Sequence, residues 1–261
     1  MEPAKASSAV ILIRDKDGDT EIFMGQRHER ATFASTFVFP GGLLNPEDTS
    51  VHHHCSGLNY SEANERLSLA SGGLDYYSAA LRELFEETGV LLATDSDGAW
   101  VTEKLGRRTS LAETQQNLIA GNLAWSELLS GWGIKLAIDR LHYVGHWETP
   151  LALKDRFSTR FFLTDLPSGQ KPEHDGEELI DSRWLKPAEA LELHKSGEID
   201  LPFPHMKHLE TLASLSTPDA QRDWARNRWQ EPVTKIRPWL IKENDERRFL
   251  LPGEPDYPDH A

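Results

Sequence analysis

The stretch from Asp75 to Thr88 has little freedom in how it can fold. Leu81, Leu84, Phe85 and Thr88 recur at i, i+3, i+4 and i+7, the spacing of one face of an α-helix. Glu83, Glu86 and Glu87 recur at i, i+3 and i+4 on roughly the opposite side. Three like charges on one face repel one another, and they fall in the last turns, where the helix dipole disfavours anions. A solvated acidic face would account for the three glutamates. So would a site for hard cations, because carboxylate oxygens at this spacing suit Mg²⁺ or Mn²⁺. Arg82 stands four residues before Glu86 and can hold a carboxylate in orientation. Asp75 is expected to cap this helix at its start, and Gly89 to end it.

The rest of the chain supplies one large α/β domain over residues 1–261 rather than several domains. Of its residues 38% are hydrophobic, enough for a sizeable core, and its net charge is −14. That charge argues against a nucleic-acid binder, which needs a basic surface to displace counterions. It leaves room for an anionic substrate, since bound cations invert the local field. With Cys55 as the only cysteine no intramolecular disulfide can form. A reducing, cytoplasmic location is expected, with no signal peptide and no membrane span.

Strands are expected at 9–14, 20–26 and 36–42, the last running into the Gly41-Gly42 turn. Further strands are expected at 137–147, 157–164 and 177–185. Helices are expected at 75–88, 110–130, 187–199 with Pro187 in the first turn, 205–215 and 218–229. A hairpin is expected around "KENDE" in the tail. Residues 43–74 read as a polar insertion with a helix near 61–70, and 203–261 as a C-terminal extension. Trp224 and Trp229 either pack that extension onto the core or form the face of a homodimer. His52, His53, His54 and Cys55 are adjacent, so they cannot converge on one ion without irregular backbone, and they read as polar surface of the insertion.

"FPGG" followed by "AALRELFEETGV" resembles the Nudix box, the signature of hydrolases that cleave a nucleoside diphosphate linked to another moiety. The match over Arg82–Val90 is complete. Upstream the spacing differs: the family places its glycine about 14 positions before the arginine, whereas Gly42 lies about 40 before Arg82, so about 26 residues are inserted. Counted back from Arg82, the family's earlier glutamate falls on Leu74, and Asp75 is the nearby acid to stand in for it. The resemblance implies an α/β/α sandwich with a mixed sheet, an insertion within the box and a C-terminal helical extension. It implies that Glu86 and Glu87 ligate metal, and that Glu83 ligates metal or acts as general base.

The inserted box, "HWETPLALKDRFSTRFF" at 146–162 and "RRFLLPGEPDY" at 247–257 are together similar to the large Nudix proteins of the peroxisomal coenzyme A diphosphatase type and their bacterial relatives. That likeness implies hydrolysis of coenzyme A or acyl-coenzyme A; NADH, ADP-ribose or another nucleoside diphosphate derivative is the alternative, and a nucleotide-sensing, non-catalytic fold a third. A fourth carboxylate is expected from Glu178 or Glu177, with Glu148 as a rival. Gly41 and Gly42 are expected beside the diphosphate, where their backbone can turn tightly. Arg27, Arg156 and Arg160 are candidates for phosphate, the last two placed on one strand face by their spacing of four. Trp147 could stack on an adenine, whereas Phe157 is expected in the core.

Overall fold

The computed structural model describes residues 3–29, 35–102, 110–243 and 246–258. Two long strands, β1 (Lys5–Lys16) and β2 (Asp19–Arg27), form a hairpin across Asp17-Gly18. The short β3 (Phe37–Val38) pairs with β2, and β4 (Gly41–Leu43) pairs with β1. The inserted segment carries α1 (Pro46–Ser50), β5 (Cys55–Ser56) and α2 (Tyr60–Arg66), and leads into α3 (Gly73–Thr88). Then come β6 (Ala93–Thr94), α4 (Leu111–Ile119), α5 (Trp125–Trp132), β7 (Lys135–Ala137), β8 (His142–Glu148), β9 (Phe157–Asp165) and β10 (Leu179–Leu185). The chain continues with α6 (Pro187–Ser196), α7 (Phe203–Ser214), α8 (Pro218–Asn227), β11 (Lys235–Ile236) and a hairpin of β12 (Trp239–Glu243) with β13 (Glu246–Leu250).

The main sheet runs β10-β2-β1-β9-β8-β11. β1 and β9 are parallel, as are β8 and β11, and the other pairs are antiparallel, so the sheet is mixed. Alternation along β1 builds two cores. Val10 and Leu12 pack with Tyr77, Leu81 and Leu84 of α3, while Ala9, Ile11 and Ile13 pack with Leu209 and Leu212 of α7. Helices on both faces make the α/β/α layering that the resemblance implies.

Several local expectations shift. The helix of the glutamates begins two residues early, with Gly72 at its N-cap. Asp75 does not cap it, because its carboxylate is taken by the His52 ring at 2.7 Å and the Thr49 hydroxyl at 2.9 Å. Gly89, at φ 71°, ends the helix as expected. The helix expected over 110–130 is two, broken where Gly121 takes φ 69°. The extension is not purely helical: β11 joins the main sheet. The "KENDE" hairpin forms, although Asn244 and Asp245 at its turn lie outside the described residues. His54 is not surface. It is buried, with its ring at 3.1 Å from the Ile134 carbonyl and 3.0 Å from the Ser130 hydroxyl, which ties the inserted segment to α5 and the loop after it. Among the described residues no helix is long and apolar enough to cross a membrane.

Candidate active site

Arg82 is the hub around which the acids of α3 are arranged. It is buried, and its Nη1 donates to Glu83 at 2.8 Å and to Glu86 at 2.9 Å. Its Nη2 donates to the Leu43 carbonyl at 2.8 Å, at the end of β4. The same guanidinium grips Asp48 of α1 with Nε and Nη2, at 3.0 Å each. Asp48 is fully buried and also accepts from the Asn45 N–H at 2.8 Å. It therefore fills the place sought at Leu74 or Asp75. The family spacing, counted forward from Gly42 rather than back from Arg82, reaches Asp48; the added residues follow it. A forward count was the signal that could have found it.

The two glycines bring β4 onto the carboxylates. The Gly41 N–H donates to Glu87 at 2.9 Å. A Cβ on Gly42 would stand 2.5 Å from the Glu83 carboxyl, so only glycine allows this approach. Burial drives the Glu83 carboxyl up to about 7, with Arg82 opposing and Glu86 and Glu178 adding to the rise. Burial, Glu83 and Glu178 push Glu87 well above the ordinary carboxylate range, against the Gly41 N–H and Arg27. Burial also raises Glu86, against Arg82, with Asp48 and Glu178 contributing.

Glu178 thus acts electrostatically on all three helix glutamates. It sits on a turn in which Asp175 accepts the N–H groups of Glu177, Glu178 and Leu179 at 3.2, 2.8 and 2.9 Å. Between the two residues expected as a fourth carboxylate, Glu178 lines the cavity and Glu177 is not among its lining residues. Among the described residues no three acidic, imidazole or thiolate groups already converge on one point as a metal cage would. Glu83 and Glu86 are drawn to Arg82 and Glu87 to Gly41. The donors nevertheless fit a divalent cation: they are hard oxygens, Glu83 and Glu87 are buried, and their carboxyls are raised first by burial and then by neighbouring carboxylates, a repulsion such a charge would relieve.

A cavity of about 540 Å³ opens beside these acids, on the α7 face of the sheet. Gly41, Gly42, Glu83, Arg27 and Glu178 line one end. Arg27 approaches Glu178 at 3.9 Å, and its Nε is buried without a partner. Trp147 lines the cavity but is mostly buried, edge-on to Phe203 at 6.0 Å between centroids. Phe157, expected in the core, is half-buried and lines the cavity.

Two expected contacts are placed elsewhere. Arg160 does not line the cavity. It follows Thr159 and precedes Phe161, both of which do, so the strand alternation turns it to the α3 face, over the Tyr76 ring at 4.1 Å. Arg156 precedes β9 and is buried against Glu148 at 2.7 Å. Glu148, the rival fourth carboxylate, also receives Lys235 at 2.9 Å and Arg237 at 2.7 Å. Burial alone would raise its pKa, but the Lys235 hydrogen bond and charge, with Arg237, lower it. Three cations hold it, although it too lines the cavity.

Compared with solved structures, the chain is similar to a Nudix hydrolase from Alicyclobacillus acidocaldarius. The TM-score is 0.70 at 24% identity, over 89% of this chain and 98% of that one, a likeness that shows the fold. Fold and acidic helix together define a Nudix hydrolase, an enzyme acting on a diphosphate bond. The family model described as the NUDT19 Nudix domain matches residues 58–212, and the chain belongs to that family. It is 27% identical to acyl-coenzyme A diphosphatase NUDT19 of Gallus gallus, over 92% of this chain and 74% of the relative. It is 23% identical to the protein of the same name from Xenopus laevis, over 94% and 73%.

Proposed function

We propose that this protein hydrolyses the diphosphate bond of coenzyme A or acyl-coenzyme A, releasing 3′,5′-ADP and (acyl-)4′-phosphopantetheine. The observation that carries the reading is the placement of Glu83 in the wall of a cavity large enough for one limb of such a substrate, with Glu86 and Glu87 beside it on the same helix, anchored by Arg82 and Gly41. The similarity to acyl-coenzyme A diphosphatases along most of both chains supports the choice of substrate.

Glu83, Glu86, Glu87 and Glu178 would hold Mg²⁺ or Mn²⁺. When bound, such a cation neutralises phosphate charge and lowers the pKa of water. Glu83 is the candidate general base: it lines the cavity beside Gly42, and its carboxylate is held in orientation by Arg82, where it can take a proton from water. Arg82 orients it and keeps Glu86 in place, while Asp48 fixes Arg82. The bare backbone at Gly41 and Gly42 gives a diphosphate room to lie against the strand. Arg27, with an unpartnered Nε on the cavity wall, offers a cation to a phosphate oxygen. Positioning and charge then carry the step, as phosphoryl chemistry requires.

The test is a panel of coenzyme A, acyl-coenzyme A, NADH and ADP-ribose with Mg²⁺ or Mn²⁺, with products identified by mass spectrometry. Coenzyme A compounds should react fastest and yield 3′,5′-ADP. Faster turnover of NADH or ADP-ribose would overturn the substrate and leave the reaction.

A further inference from the structure

The cavity has a second end, remote from the glutamates, and it differs in chemistry. Along β1 the strand opposite Gly41 is Ala9, and the strand position opposite Phe157 is Lys5. Four residues at about 3.3 Å each separate the two ends by about 13 Å. Phe157, Leu153, Phe203, Pro238 and Phe249 line this far end. Two of these, Pro238 and Phe249, come from the tail: Pro238 just before the β12–β13 hairpin and Phe249 within it. Phe249 leans on Phe203 with centroids 4.8 Å apart.

The tail is tied down by charge. Glu148 receives Lys235 and Arg237, both from the segment leading into the hairpin, and Tyr257 donates to the Arg237 carbonyl at 2.9 Å. Polar side chains near this end are already engaged with one another. Ser7 and Thr159 share a 2.6 Å hydrogen bond, Thr149 accepts from the Phe157 N–H at 3.0 Å, and both Glu148 oxygens are taken. Lys5 stands exposed at the rim. A purine buried here would find its ring nitrogens short of side-chain partners, which costs free energy. A chain of methylenes needs none.

We propose that this far end is a slot for an aliphatic acyl chain, walled by Phe249, Phe203 and Leu153 and kept closed by Glu148 through its grip on the tail. The proposal rests on the coenzyme A reading for how the chain reaches the slot, with the diphosphate at the glutamates and the thioester arm running along β1. Glu148 is a positioning residue in it, since it acts on the wall and not on the acyl group.

The experiment measures kcat/KM for coenzyme A and its acetyl, butanoyl, octanoyl and dodecanoyl thioesters. In the parent each added methylene should raise kcat/KM about fourfold until the slot is filled, the effect of removing a methylene from water. Phe249→Ala and the loop variant Leu153→Asp should each flatten that dependence by tenfold or more, while Phe249→Leu should retain it. Glu148→Gln should raise KM for the octanoyl substrate with a smaller change in kcat. A parent indifferent to chain length, or a dependence unaltered in both Phe249→Ala and Leu153→Asp, overturns the slot. If no coenzyme A compound is hydrolysed, the reading of the substrate has failed, and calorimetry judges the slot by itself. Binding of S-octanoyl-pantetheine at least tenfold tighter than pantetheine supports it, and equal binding overturns it.

Discussion

Arg82 and Asp48 form a two-point ion pair, Nε to Oδ1 and Nη2 to Oδ2 at 3.0 Å each, inside the protein and across the whole inserted segment. The pair explains how the box survives its interruption. The inserted residues depart after Asp48 and return at α3, and the buried pair locks the two halves of the motif together. Asp48→Asn leaves the buried guanidinium with Glu83 and Glu86 as its remaining carboxylate partners. Unfolding in urea should show a loss of about 3–5 kcal/mol, the usual result of breaking a buried pair. Turnover should fall with it, because Arg82 orients Glu83 and Glu86.

Removing the acids tests the site itself. Glu83→Gln should lower kcat by about 10²–10⁴-fold, the range for loss of a general base. Glu86→Gln and Glu87→Gln should each cost about a hundredfold or more through lost metal affinity. All three should fold, and in metal-free buffer Glu87→Gln should melt above the parent, since it removes a buried carboxylate crowded by Glu83 and Glu178. Differential scanning calorimetry and steady-state kinetics read both effects.

Adding Mg²⁺ or Mn²⁺ to the metal-free parent should raise Tm, by mass action on the native state. At a hundredfold excess over Kd the gain is about 2.7 kcal/mol. The triple glutamine variant at 83, 86 and 87 should show little of it in the same titration.

Gly42→Ala puts a methyl group against the Glu83 carboxyl. The carboxylate must move, and small displacements in a catalytic constellation cost about a hundredfold. Activity should drop more than stability. Gly41→Ala should do the reverse, because its added carbon meets the backbone of Ser8 and Ala9, which cannot yield cheaply.

Acid sensitivity should be set in part by His208, buried against Phe161 at 4.6 Å with its Nε2 unpartnered. Burial lowers its pKa from 6.5 to about 3. The unfolded chain takes up a proton below pH 6.5 and the native one does not, so this contribution to stability is full above pH 6.5 and is lost as pH falls toward 3. The slope from this group is at most about 1.4 kcal/mol per pH unit. Urea midpoints measured from pH 7.5 to 4.5 should fall less steeply in His208→Phe than in the parent.

What the sequence determined by itself was local. The 3.6-residue stripe of α3 and the spacing of Glu83, Glu86 and Glu87 are properties of one helix, readable because one turn sets both. The hairpin of β1 and β2 and the turn at Gly41-Gly42 were legible for the same reason. Tertiary structure decided the rest. Asp48, just ahead of the added residues, meets Arg82, and Asp75 turns to His52 within them, because this part of the chain packs against α3. Arg160 faces away from the cavity because β9 pairs with β1 in one register; a shift of one residue would reverse it. Glu148 is bound by Arg156 from the neighbouring loop and by Lys235 and Arg237 from the tail, and Phe249 reaches the cavity from the tail hairpin. Such contacts depend on which segments become neighbours once two cores close on one sheet, and periodicity along a chain carries no information about that.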